Sequence, residues 1–264
     1  MAWWGKVVGG AFGALLGGPL GAALGAALGH QFDKGLASDF DALPGAGRGD
    51  RERIQTAFFT ATFATMGHVA KADGRVTEAE IRHAKEVMSR LGLPEAAREL
   101  AIDLFNQGKL PGYDLSAALT QLKRECGHRR NLLRLFLEIQ IAGAFADRQL
   151  HGAEVGILRQ IAGTLGFDAE LESLLALHQA GGSFGDDTAA IPNGRRLDNA
   201  YAVLGLTEDA EDAEVKRAYK RLMAQHHPDK LVSQGLPEEM MQAATEKTQE
   251  IKAAYDTVRA ARGI

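Results

Sequence analysis

From Val7 to Gly29 the chain runs twenty-three residues without a charge, and a segment of that kind constrains everything that follows it. As a helix it rises about 1.5 Å per residue, enough to cross a hydrocarbon core of about 30 Å. Trp3 and Trp4 stand before it, where interfacial aromatics belong, and His30, Asp33 and Lys34 close the other end. The stretch is too long for the apolar region of a signal peptide, and Lys6 alone makes a thin basic flank. We read residues 1–35 as an uncleaved glycine-zipper anchor, in contact with membrane lipid.

The glycines carry the finer information. Gly5, Gly9, Gly13, Gly17, Gly21, Gly25 and Gly29 recur at every fourth position. In water each costs a helix about 1 kcal/mol against alanine. In lipid, rows of small residues let two helices approach closely. A four-residue step overshoots the 3.6-residue repeat, so the stripe winds by about 40° per step and suits a right-handed crossing. Gly9, Gly13, Gly17, Gly21 and Gly25 are the expected homodimer seam, and Pro19 the expected bend. Lys34, Arg48, Arg51 and Arg53 follow the span whereas Lys6 precedes it, which leaves the carboxy-terminal bulk in the cytoplasm.

A net charge of −4 gives no pull toward nucleic acid. The lone cysteine, Cys126, forms no internal disulfide and no structural zinc site, and is expected to be a small buried hydrophobe. Residues 36–50, with Pro44-Gly45 and Gly47-Arg48-Gly49-Asp50, read as a linker. Beyond it, residues 51–180 show helical spacing, as in Ile54, Phe58, Ala61, Thr62 and Met66, or Leu132, Leu135, Phe136 and Ile139. No alternating β-branched run competes, so the expected fold class is all-α.

Within this stretch Phe63–Ile81 and Ile139–Val155 are alike. Each has a helix, an Ala-Asp turn and a glutamate seven positions after the aspartate. The pattern resembles the TerB-like family, an all-helical fold whose acidic positions have been associated with metal. Asp73, Glu80, Asp147 and Glu154 are therefore weak candidates for a divalent cation. Thr77-Glu78-Ala79-Glu80 is equally a capping box, and the aspartates suit turns after helix ends. We expect no metal and no cofactor, and the partner of this domain is not legible.

Residues 181–196 read as a second linker, and 197–264 as helix, long helix, polar loop, helix. The first helix is expected over Asp198–Leu204, the second over Ala213–His226 and the third over Pro237–Ala261. On the second helix Val215, Ala218, Tyr219, Leu222 and Met223 form a core stripe, with Lys216, Arg217, Lys220 and Arg221 opposite. It ends at His226-His227-Pro228-Asp229-Lys230, where proline stops the helix.

These motifs, with Ala200-Tyr201-Ala202-Val203-Leu204-Gly205-Leu206 before them and Ile251-Lys252-Ala253-Ala254-Tyr255 after, resemble the J-domain family. The resemblance implies docking on a DnaK-type chaperone and stimulation of its ATPase. His227, Pro228 and Asp229 take the trigger role, and Lys216, Arg217, Lys220 and Arg221 the docking role. Tyr201, Leu204, Tyr219, Leu222, Ile251 and Tyr255 form the core. One departure is the segment Leu231–Met241, longer than the common pattern; another is the lack of a Gly/Phe-rich or cysteine-rich module. No nucleophile–base pair or phosphate-cradling loop is visible, so no catalysis is expected. The order of parts resembles bacterial inner-membrane J-domain co-chaperones. The rival reading is a metal-responsive membrane stress sensor in which the TerB-like part is primary.

Overall fold

The computed structural model describes residues 18–33, 50–72, 95–145, 150–179 and 193–263, with isolated positions between 85 and 93. All regular structure among them is helical. Among the described residues of the anchor segment and the middle domain, seven helices can be bounded: α1 (Gly18–Asp33), α2 (Asp50–Ala70), α3 (Glu95–Gly108), α4 (Leu115–Cys126), α5 (Arg130–Ala144), α6 (Gly152–Leu165) and α7 (Asp168–Gln179). The carboxy-terminal part adds α8 (Asn193–Leu204), α9 (Asp212–His226), α10 (Pro228–Ser233), a 3-10 turn (Glu238–Met240) and α11 (Met241–Arg262).

The middle domain is organised around α2, which is buried on every side from Ile54 to Met66. A helix buried all round and uncharged from Ile54 to Gly67 belongs in the centre of a bundle, and α3, α4, α5 and α6 enclose it. Thr62 is accommodated by hydrogen bonding on both its side chain and its carbonyl, whereas Thr60 Oγ1 is buried without a partner. Thr62 Oγ1 donates to the Phe58 carbonyl at 2.8 Å, and Gln140 Nε2 donates to the Thr62 carbonyl at 3.1 Å. At the crossing of α2 and α3 the two backbones touch. A Cβ on Gly67 would lie 2.0 Å from the Phe105 oxygen, and one on Gly108 would lie 1.7 Å from that of Ala64. Ile54, Phe58, Leu132, Leu135, Phe136 and Ile139 are all core residues, as their spacing predicts. So is Cys126, whose thiol burial pushes up to about 12, leaving it inert.

Helix α1 lies against α2, α3 and α4, with Leu20 and Ala27 fully buried and the Leu20 N–H donating to Gln121 Oε1 at 3.0 Å. Its first residue, Gly18, has φ +65°, so the backbone is not helical there and Pro19 sits in the first turn. Pro19 thus stands at the start of α1, and the residues before Gly18, against which the expected bend would be judged, lie outside the described residues. Sixteen residues rise about 24 Å, less than a hydrocarbon core. No helix among the described residues is long and apolar enough to cross a membrane.

The carboxy-terminal domain is smaller. Helices α8, α9 and α11 share a core of Tyr201, Leu204, Val215, Ala218, Leu222, Ile251 and Val258. Tyr219 and Tyr255 stack at 4.1 Å along its edge. Arg262 closes the far end, donating to Tyr201 Oη at 2.5 Å and to the Glu208 and Ala210 carbonyls at 2.6 Å each. Helix α8 begins at Asn193, inside the stretch expected to be linker, and α11 begins at Met241 rather than Pro237. The expected polar loop is largely α10, because a proline at the first helical position starts a helix as well as it stops one.

The two domains pack together. Leu231, Leu236, Met240, Ala243 and Ala244 are fully buried, and they join the core of the middle domain rather than their own. Leu177 of α7 is exchanged in the other direction. The long segment Leu231–Met241 therefore supplies a docking surface.

Candidate partner-docking site

The site is built on α9. The Glu211 N–H donates to Glu214 Oε2 at 3.1 Å, and Asp212 and Glu214 set negative charge against the positive end of the helix dipole. Val215, Ala218 and Leu222 are buried toward α8 and α11, which turns Lys216, Arg217, Lys220 and Arg221 into water, all four exposed. The helix ends at His227, with φ −56° and ψ 123°, and Pro228 begins α10 immediately. The His227 carbonyl accepts from the Leu231 N–H at 3.0 Å, so one residue joins two helices at a fixed corner.

His227 and Asp229 are exposed at that corner and Pro228 is half-buried. Lys230 adds a further exposed cation. The seven residues expected from the sequence thus lie on α9 or at the corner that follows it, six of them exposed and Pro228 half-buried. What this arrangement offers is recognition: a basic strip ending in a bend between two helices.

Sequence reasoning missed what lies behind the corner. His226 is 1% exposed, and its Nδ1 is 3.6 Å from Glu138 Oε2 of α5, also 1% exposed. Glu138 Oε1 accepts from Arg134 Nε at 3.0 Å, and Arg134 Nη1 also reaches Glu170 Oε2 at 3.1 Å. Lys247 of α11, 4% exposed, donates to Glu250 Oε2 at 2.9 Å. Burial holds His226 below the usual histidine range despite the Glu138 charge. Burial also works against ionised Glu138, but His226, Lys247 and Arg134 together take its carboxyl below the usual range. Desolvating an ion costs several kcal/mol, whereas burying a leucine gains about 1.5–3 kcal/mol. The apolar residues therefore drive docking, and the charges select its orientation. One signal was available: Glu138 is the lone acid in Leu135-Phe136-Leu137-Glu138-Ile139.

The other candidates fare differently. Gly9, Gly13 and Gly17 lie outside the described residues, while Gly21 and Gly25 are buried in α1. Asp73, Glu80 and Asp147 also lie outside them. Glu154 sits in the first turn of α6, where its Oε2 accepts the His151 N–H at 2.9 Å and caps the helix. Among the described residues no group of three or more His, Cys, Asp or Glu is placed to hold a metal ion.

Comparison with known proteins follows the same division. Residues 1–39 match the family described as the co-chaperone DjlA transmembrane domain, residues 59–173 tellurite resistance protein TerB, and residues 199–262 the DnaJ domain. The chain is 44% identical to the co-chaperone protein DjlA of Photobacterium profundum, over 98% of this chain and 99% of that one. The DjlA proteins of Vibrio cholerae and Aliivibrio fischeri are 44% and 43% identical, over 98% and 100% of both chains respectively. No solved structure matches. With three parts matched in order and this identity along nearly its whole length, the chain belongs to the DjlA family, membrane-anchored J-domain co-chaperones of DnaK-type partners rather than enzymes.

Proposed function

We propose that the exposed corner at His227, Pro228 and Asp229 triggers ATP hydrolysis by a DnaK-type chaperone, and that Lys216, Arg217, Lys220 and Arg221 dock it. The observation that carries this reading is that the four basic residues of α9 are exposed and the tripeptide follows at the corner where that helix ends, with His227 and Asp229 exposed. The mechanism needs no chemistry on this chain. A surface that binds the hydrolysis-competent state of its partner more tightly than the resting state shifts the partner toward hydrolysis. The basic strip speeds encounter with an acidic partner surface and makes the association salt-sensitive. The stiff corner then presents the same three residues at every encounter.

Around this core we place an anchor at 1–35, a TerB-like domain at 51–180 and a J-domain at 197–264, joined by linkers. The chain sits in a bacterial inner membrane as a single-pass protein, with its bulk in the cytoplasm. Pairing of two copies through the glycine stripe rests on its four-residue spacing. Since Gly21 and Gly25 are covered by the chain's own domain here, pairing through them requires α1 to part from that domain. The test of the trigger is His227→Gln in the full chain. Helical content and melting temperature should stay as in the wild type while stimulation of a DnaK-type ATPase is lost; normal stimulation would defeat the reading.

A further inference from the structure

The trigger corner rests on a buried contact that its role as a docking surface does not use. His226 precedes the trigger directly, and its ring faces Glu138 across the domain boundary at 3.6 Å, slightly too long for a hydrogen bond. Neither ring nitrogen of His226 has a hydrogen-bond partner, nor has Glu138 Oε2. Arg134 and Glu138 face this point from α5, Glu170 and His178 from α7, His226 from α9, and Lys247 and Glu250 from α11. In the segment after α10, Gly235 (φ +106°) approaches α2 so closely that a Cβ there would lie 2.6 Å from Ile54 Cγ2.

We propose that Glu138 is a positioning residue for the trigger: by holding His226 against α5, the TerB-like domain fixes the direction in which His227, Pro228 and Asp229 are presented. This makes the TerB-like domain a built-in orienting partner of the J-domain. Three observations support it. Only one residue joins α9 to α10, so a displacement of His226 is passed directly to the tripeptide. The contact leaves His227, Asp229 and the basic strip exposed, so it aims the trigger without covering it. A buried carboxylate also tolerates few arrangements, whereas the surrounding leucines alone would allow sliding.

The proposal rests on the co-chaperone reading above, and the experiment separates the two. Single-turnover ATP hydrolysis by a DnaK-type chaperone is measured against increasing concentrations of the full-length chain in detergent micelles. Glu138→Gln keeps the side-chain shape and an acceptor for Arg134 but removes the charge facing His226. The half-maximal concentration should rise about fivefold with the maximal rate unchanged, because apparent affinity scales with the fraction of chains whose trigger is correctly aimed. His226→Gln should do the same, and the double variant no more than the larger single, since the two act as one unit. Gly235→Ala strains the segment after α10, both by its φ of +106° and by a Cβ 2.6 Å from Ile54 Cγ2, without touching a charge; it should shift the curve in the same direction, which keeps the test sound if Glu138→Gln does not fold.

Unchanged half-maximal concentrations in Glu138→Gln and Gly235→Ala would overturn the proposal. So would additive effects of Glu138→Gln and His226→Gln. Stronger stimulation by either interface variant would overturn it as well, by showing that the contact restrains the trigger. A wild-type chain without any stimulation defeats the co-chaperone reading and this proposal with it; a stimulating wild type with indifferent variants defeats the proposal alone.

Discussion

The outer face and the inner end of α9 use charge in opposite ways. Lys216, Arg217, Lys220 and Arg221 lie in water, where a single ion pair contributes about 0–1 kcal/mol and salt screens it. In the proposed docking role their effect is collective, a field that would steer a partner. His226, a few residues on, is closed inside the protein with Glu138, Arg134 and Lys247 around it. There each charge is costly to bury and admits few geometries. On the proposal made above, one helix meets a partner with its outer face and takes its orientation from its inner end.

The largest effect should come from loosening the frame on which the inner end rests. Gly108→Ala drives a Cβ into the Ala64 carbonyl at the α2–α3 crossing, where neither backbone can yield. Overpacking of this kind costs about 3 kcal/mol, read as a lower denaturation midpoint. If the midpoint does not move, the inner end does not rest on a rigid bundle. Next comes the outer face. The pair Lys220→Glu and Arg221→Glu should weaken chaperone binding on the order of thirtyfold at low salt, with the gap narrowing as salt is raised. A salt-independent loss would mean that these residues act by shape and the comparison fails.

A smaller effect separates the two sides by pH. Burial, and then the Lys247 charge, push His178 down to about 4. The unfolded chain therefore binds a proton that the folded chain refuses between about pH 4 and pH 6.5, and stability falls as pH drops through that window. At pH 5.5 the loss should be about 1.4 kcal/mol, and above pH 6.5 this group contributes nothing. Denaturant titrations at pH 7.5 and 5.5 check it, with His178→Gln expected to flatten the difference. The smallest effect belongs to Arg217→Ala. Its partner Glu214 stands 4.0 Å away and both side chains are exposed, so stability should change by less than about 0.5 kcal/mol. A larger change would show that the outer face is structural after all.

What the sequence disclosed divides along the same line. The stripe Val215, Ala218, Tyr219, Leu222 and Met223 and its basic opposite face are set by one local period, and both stand in the structure as read. So does the central α2, whose apolar spacing is unbroken. The contact of Glu138 with His226 joins residues 88 positions apart, and no local rule reaches that far. Pro228 was readable as a helix end but serves as well as a helix start. The length of Leu231–Met241 stood out as a departure, yet its meaning came only from the neighbouring core that Leu231, Leu236 and Met240 enter. Glu154 shows the converse: an acid at metal-like spacing whose bond to the His151 N–H is that of a helix cap.

Amide hydrogen exchange on the full-length chain, with and without an ATP-bound DnaK-type chaperone, tests the central claim most directly. The account predicts slowed exchange confined to residues 216–230, with α2 and α5 unchanged because the trigger is read without undocking. Absence of protection over 216–230, or faster exchange in α5 and α10 when the chaperone binds, would contradict it.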